Sequence, residues 1–223
     1  MIPTKKVHIH PPFLKFGKKE HMEKLIYEGE VYFNTIDTIK KFDNEEIGDR
    51  LEGLSFISHL PNCKIQCNEK NLGEAQNIVM KQENYINRNL FCLFALENQY
   101  VIDNLDKNLL LSINVSKYSK FGTHCVVIGD IPEFRQRLLK KIKEKELKVE
   151  HQLVRYLDFS KYNGEVTPFM KDIKYSHQCE YRFLVHNTKD APVKFSIGNI
   201  EDIAHIIPIS SELVVGFEKY ITS

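Results

Sequence analysis

Apolar residues along the chain fall into short patches, and the period within each patch separates strands from helices. After the helix-breaking pair Pro11 and Pro12, the run Phe13, Leu14, Lys15 and Phe16 ends at Gly17 and predicts a short strand with Phe13 and Lys15 on one face. Over 18–28, Met22, Leu25 and Ile26 recur at helical spacing, and Gly29 stands where a left-handed cap belongs, so a helix of about three turns is expected. Residues 31–35 alternate again, with Val31 and Phe33 on one face and Tyr32 and Asn34 on the other. The chain therefore opens strand, helix, strand.

The segment 40–53 is too polar and too glycine-punctuated for a core element and reads as a surface loop long enough to cover a cleft. Residues 55–67 predict one or two strands around a turn at Leu60, Pro61 and Asn62, while 74–89 fits a helix and paired strands equally. The unbroken apolar run 90–96 predicts a central strand buried on both faces, and 124–128 resembles it. Ile131, Pro132 and Glu133 then open a helix with Phe134, Leu138 and Ile142 on one side and Arg135, Lys140, Lys141, Lys143 and Lys145 around the rest, a pattern that reads as a solvated face. Strands are expected at 154–159, 193–197 and 205–209; 167–172 leads into a short helix or turn before the strand at Glu180, and 213–220 fits a strand or a helix. No repeat or linker-like break interrupts the pattern, which predicts a single domain over 1–223 of the α+β class, rich in antiparallel strand.

One stretch joins a strand pattern to groups that strands do not need. In 177–185, Tyr181, Phe183 and Val185 alternate onto one face, and Gln178, Glu180 and Arg182 share the other. An amide, a carboxylate and a guanidinium would stand in a row on rigid backbone, either as a chemical site or as the solvated face of an edge strand.

Composition narrows the classes. With 42% hydrophobic residues, 14 Phe and 10 Tyr, the chain can bury a real core. No apolar run approaches the roughly 20 residues that span a bilayer, and Met1 to Val7 lacks an apolar signal region, so a cytoplasmic protein with no membrane partner is expected. Five cysteines, an odd number, fit free thiols in a reducing compartment, and Cys63 with Cys67 lacks the second pair that tetrahedral zinc needs. A net charge of +1 gives no global pull towards nucleic acid. The phosphate-binding, dinucleotide, hydrolase-elbow and zincin motifs are all missing.

Three strand-borne sets remain: Phe13 with Lys15, Tyr32 with Asn34, and Gln178 with Glu180. Their order resembles the ADP-ribosyltransferase superfamily of diphtheria-like toxins and poly(ADP-ribose) polymerases. Gly29 to Phe33 looks like that family's second-strand step, and Gln178, Cys179 and Glu180 are similar to the Q-x-E motif of its toxin branches. Over most of its length the chain also resembles a group of bacterial proteins with a YFN block (here Tyr32 to Asn34), a GD-x-x-EG block (Gly48 to Gly53) and an E-Y-R block (Glu180 to Arg182). Lys15 stands where His or Arg is usual, and no Ser-Thr-Ser motif is present.

The resemblance implies split antiparallel β-sheets flanked by helices, with NAD as substrate. Breaking the nicotinamide bond passes through an oxocarbenium-like transition state, as in glycoside hydrolysis, which calls for a carboxylate in the role assigned to Glu180. Tyr32 would stack on the cationic nicotinamide, Lys15 would meet the diphosphate or adenosine ribose as a point charge, and Asn34 would bond a carboxamide or ribose. Gln178 would face the acceptor, where an amide suits a nucleobase edge or carboxamide better than a guanidinium. The implied partners are a macromolecular acceptor, RNA, DNA or protein, and an antitoxin or inhibitor protein, as for a toxin or phage-defence effector. Two alternatives stay open: an RNA 2′-phosphotransferase on the same scaffold, and a non-catalytic module that binds RNA or protein through the Lys-rich helix at 133–148.

Overall fold

The structure, a computed structural model, describes residues 11–41, 49–83, 85, 88–96, 98–186, 191–209 and 213–216. The chain opens with β1 (Phe13–Gly17), α1 (Lys19–Tyr27), β2 (Glu30–Thr35) and α2 (Ile36–Lys40). Next come β3 (Leu54–Cys67), β4 (Lys70–Glu83), β5 (Arg88–Ala95), α3 (Asn98–Asn104), β6 (Leu110–Ile113), β7 (His124–Ile128) and α4 (Ile131–Glu144). The last part holds β8 (Lys148–Leu153), β9 (Arg155–Leu157), β10 (Gly164–Glu165), β11 (Met170–Asp172), β12 (Glu180–His186), β13 (Val193–Ser196), β14 (Ala204–Pro208) and β15 (Leu213–Gly216). This is a mixed α and β protein with mostly antiparallel sheet and few helices, consistent with the α+β class. No described helix is long and apolar enough to cross a membrane.

Backbone contacts divide the chain into two compact units that interleave along the sequence. The first unit comprises Met1–Val31, Cys92–Glu146 and Lys194–Ser223. Its antiparallel strands run in the order β5, β1, β7, β14, with Phe13 opposite Ala95 on one side and Ile128 on the other. Helix α1 buries Met22, Leu25 and Ile26, the residues its spacing selects. Helix α4 starts where Asp130 accepts the Glu133 N–H, with proline in its first turn, and buries Phe134, Leu138 and Ile142 completely. Each such side chain contributes about 1.5–3 kcal/mol relative to exposure, which is what holds a helix otherwise covered in charge. Gly29 ends α1 with φ +61, and a Cβ there would meet the Gly198 carbonyl oxygen at 1.9 Å, so only glycine fits.

The second unit comprises Tyr32–Phe91 and Leu147–Val193. Here several expectations are corrected. The hairpin β3–β4 turns at Asn68 and Glu69, both left-handed, and not at residues 60–62. Pro61 sits inside β3 opposite Asn77, where β4 is the neighbour on one side and the other edge lies beyond the short β10 pairing at Phe56 and Ile57. Proline is tolerated on such an edge because no ladder bond is needed from its nitrogen. Of the ambiguous 74–89 region, residues 74–83 belong to β4 and 88–89 to β5. The short helix or turn expected after 167–172 and before Glu180 is present as the 3-10 turn Ile173–Gln178, and it is preceded by β11, which pairs parallel with β9. β8 had no counterpart in the sequence reading, yet it pairs with β12 from Lys148 opposite His186 to Leu153 opposite Tyr181. The predicted surface loop is also corrected where it is described, since Asp49 and Glu52 are buried; its residues 42–48 lie outside the described residues. An apolar cluster of Leu54, Ile57, Phe159 and Val166 packs next to that segment, with Leu51 against it.

Candidate functional site: a buried charge cluster at the start of β12

Glu180 is the first residue of β12, and the chain enters it through Cys179, which adopts a left-handed conformation (φ 42°, ψ 51°) at the end of the 3-10 turn. Gln178 therefore belongs to the turn, which corrects the expectation that it shares a strand face with Glu180. The turn brings the two side chains together by another route. The Lys171 ammonium, delivered by β11, donates to Gln178 Oε1 at 2.6 Å and to Glu180 Oε1 at 2.6 Å. Parallel pairing of β11 with β9 sets Lys171 opposite Tyr156, whose hydroxyl accepts the Glu180 backbone N–H at 2.9 Å.

Arg182 completes the cluster from the same strand face as Glu180. Its Nε donates to Glu180 Oε2 at 2.7 Å, and its two terminal nitrogens fork onto Glu52 Oε1 and Oε2 at 2.8 Å each. One of them also donates to the Pro168 carbonyl. Lys171 lies over the Tyr175 ring, 4.7 Å from its centre. The polar face is thus buried rather than solvated: Arg182 is 1% exposed, Glu52 3%, Lys171 4%, Gln178 6% and Glu180 8%.

Two cations, Lys171 and Arg182, face two carboxylates, Glu52 and Glu180, and burial makes each pairing matter. Burial alone would raise the Glu180 pKa, but Arg182 and then Lys171 outweigh it and hold the carboxyl well below the usual range. Burial likewise works against the charged Lys171, and Glu180 reverses it, so the ammonium titrates above its ordinary value. Among the described residues Asp49 has no cation of its own. Burial, and then the Glu52 charge, push its carboxyl upward against the weaker pull of Lys171, the Leu51 N–H and Arg182. The Tyr156 hydroxyl is also raised, by burial first and then by Glu180.

The other predicted residues make contacts of their own. Tyr32 and Asn34 do share the outward face of β2, Tyr32 at 48% exposure and Asn34 half-buried, with Asn34 Oδ1 accepting the Thr35 N–H at 3.0 Å. Lys15 belongs to the first unit, where its half-buried ammonium donates to the Cys92 carbonyl at 2.7 Å. The cluster instead adds residues that the sequence reading did not select: Lys171, Tyr156, Glu52 and Asp49. Glu52 and Asp49 carried a signal in the GD-x-x-EG block, which the structure ties to the E-Y-R block through the Arg182 fork. Lys171 carried none, since nothing in the local pattern of 167–174 sets it apart from Lys174.

Chemically, the arrangement holds a carboxylate of lowered pKa in one position on rigid backbone, with both oxygens engaged by cations. Such a group can stabilise positive charge that develops nearby, provided a substrate takes over one of those bonds. Set against family models, curated proteins and solved structures, the chain matches none of them.

Proposed function

We propose that the protein is an ADP-ribosyltransferase that cleaves NAD and transfers ADP-ribose to a macromolecular acceptor, nucleic acid or protein, in the manner of a bacterial toxin or phage-defence effector. The observation that carries the reading is Glu180 itself, a strand-initial carboxylate held ionised by Lys171 and Arg182 and linked through Lys171 to Gln178. An oxocarbenium-like centre needs such a fixed negative charge, because a preorganised group costs no reorganisation when the positive charge appears. A ribose hydroxyl would donate to Oε1 in place of Lys171, and the exposed Tyr32 ring would carry the nicotinamide. The resemblance to split-sheet ADP-ribosyltransferases belongs to this proposal, as do NAD as substrate and a neutralising protein partner.

One observation favours a second reading. Both Glu180 oxygens already have cationic partners, which suits a carboxylate whose work is to hold β12, β11 and the Glu52 segment together in a non-catalytic binding module. Incubation of the protein with NAD, with and without a cell extract as acceptor source, separates the two. Release of nicotinamide is expected from the wild type, with a loss of about 100-fold or more in Glu180→Gln, the range for removing one electrostatic stabiliser. Circular dichroism on the same variant controls for folding. No nicotinamide from the wild type under either condition would leave the structural reading standing.

A further inference from the structure

The first unit carries a groove of about 720 Å³ between α4 and the stretch 194–199, in β13 and the segment after it, and its lining is cationic. Arg137, Lys140, Lys141 and Lys145 line one wall and Lys194 the other, with Glu144 the only carboxylate among the described lining residues. Residues 137, 140, 141, 144 and 145 fall at helical spacing, so the turns of α4 place them along one stripe. Phe134, Leu138 and Ile142, on the opposite side, are fully buried and fix which face looks outward.

These charges do not all have the same work. Arg137 is a strut: it forks onto the Asp202 carboxylate, bonds Glu133 at 2.7 Å and donates to the Asn199 carbonyl at 3.1 Å. Lys194 shares its charge with Glu30 at 3.2 Å. The excess is at the C-terminal end of the helix, where Lys141 bonds Glu144 at 2.9 Å and Lys140 and Lys145 are exposed beside the same carboxylate. Three ammonium groups thus crowd one exposed carboxylate, and its pKa is lowered by the Lys141 hydrogen bond first and by Lys140 and Lys145 after it. At this end of the helix two positive charges remain over, and the residues that carry them are spread along about 7.5 Å of helix axis. The C-terminal dipole of α4 stabilises these cations where they stand.

We infer that this groove binds the phosphodiester backbone of nucleic acid. Two excess charges spaced over that length match neighbouring phosphates of a strand better than a single anion. Phe195, the one aromatic residue of the lining, is buried at 7% exposure and offers no stacking face, so contact is with backbone and not with bases. Recognition is therefore sequence-independent and salt-sensitive. The inference does not rest on NAD chemistry, since binding needs no turnover; under the transferase reading the groove would dock a nucleic-acid acceptor.

Fluorescence anisotropy with a labelled single-stranded RNA of mixed sequence, and with DNA of the same sequence, tests it directly on the full chain. A dissociation constant of about 10⁻⁴ to 10⁻⁶ M is expected, and with two neutralised phosphates the log–log salt slope should be about −1.4. Lys140→Ala with Lys145→Ala should weaken binding about fivefold or more and flatten the slope towards zero. Lys18→Ala with Lys143→Ala removes the same charge from exposed positions of the same unit outside the groove, and should leave affinity within about twofold. Equal loss from both pairs would overturn the groove assignment, as would no binding by the wild type at about 50 mM salt. Displacement by inorganic pyrophosphate at equal phosphate concentration would identify a small-anion site and overturn the nucleic-acid reading. A strong dependence on base sequence would also count against it.

Discussion

The buried cluster at the start of β12 and the groove beside α4 are built from the same side-chain chemistry, lysine and arginine against carboxylates, and differ in what water is allowed to do. In the cluster, Arg182 and Lys171 are at most 4% exposed and meet Glu52 and Glu180 at 2.6–2.8 Å, so each charge is answered by a fixed partner. In the groove, Lys140, Lys141 and Lys145 share one exposed Glu144, and solvent does most of the stabilising. A paired buried charge costs desolvation and repays it in geometry; an unpaired exposed one costs little and remains available to a ligand. The first is thus suited to fixing atoms in place, the second to capturing a mobile anion.

The sharpest way to break this contrast is to remove Arg182. Arg182→Met leaves Glu52 and Glu180 buried without their shared cation, and a loss of about 3–5 kcal/mol of stability is expected in urea unfolding. Arg182→Lys should recover only part of it, because an ammonium cannot fork onto Glu52 while also reaching Glu180. A loss below about 1 kcal/mol for Arg182→Met would mean the cluster behaves as a surface pair and that burial is not what sets its chemistry.

How much of this was legible in the sequence depends on how far apart the interacting residues lie. β1, α1, β2, β5 and α4 follow from periods within a dozen residues, and Phe134, Leu138 and Ile142 are buried as their spacing requires. Pro61 misled because proline marks a turn locally, while the ribbon edge that accepts it is a tertiary fact. Glu52 and Arg182 are 130 residues apart, so the polar segment around Glu52 looked solvated when its guanidinium partner was waiting in β12. Gln178 and Glu180 are brought together by a shared lysine and not by a shared strand face. The Lys171 bridge between them comes from the β9–β11 pairing, which no local pattern encodes.

On the exposed side the effects should be smaller and of another kind. Arg137→Ala removes the tie from α4 to Asp202 and Asn199, and a cost of about 1 kcal/mol is expected, the upper range for a network that is mostly at the surface. Lys140→Ala with Lys145→Ala should change stability by no more than about 0.5 kcal/mol while weakening nucleic-acid binding. A large stability loss from the lysine pair would move those residues into the structural class and dissolve the comparison.

The subtlest test concerns Asp49, the carboxyl in the cluster's surroundings that lacks its own cation among the described residues. Its folded-state pKa is raised above the ordinary 3.8 by burial and then by Glu52, so the folded protein favours the protonated form. Stability from that preference is fully present below the unfolded pKa and is lost as the pH rises through the raised folded value. Glu180 runs the other way: its pKa is depressed below 4.5, so its contribution is present above that value and is lost as the pH falls through the lower one. Asp49→Asn keeps an oxygen for the Leu51 N–H, which Asp49 accepts at 2.9 Å, and carries no charge at any pH. The variant should therefore match the wild type in acid and become the more stable of the two as the pH rises, while both keep the acid-side loss that belongs to Glu180. Melting temperatures measured from about pH 4 to pH 8 decide it, across the interval where a raised carboxyl titrates. A constant difference at every pH would show that the Asp49 pKa is not shifted by folding, and that burial beside Glu52 does not govern its charge.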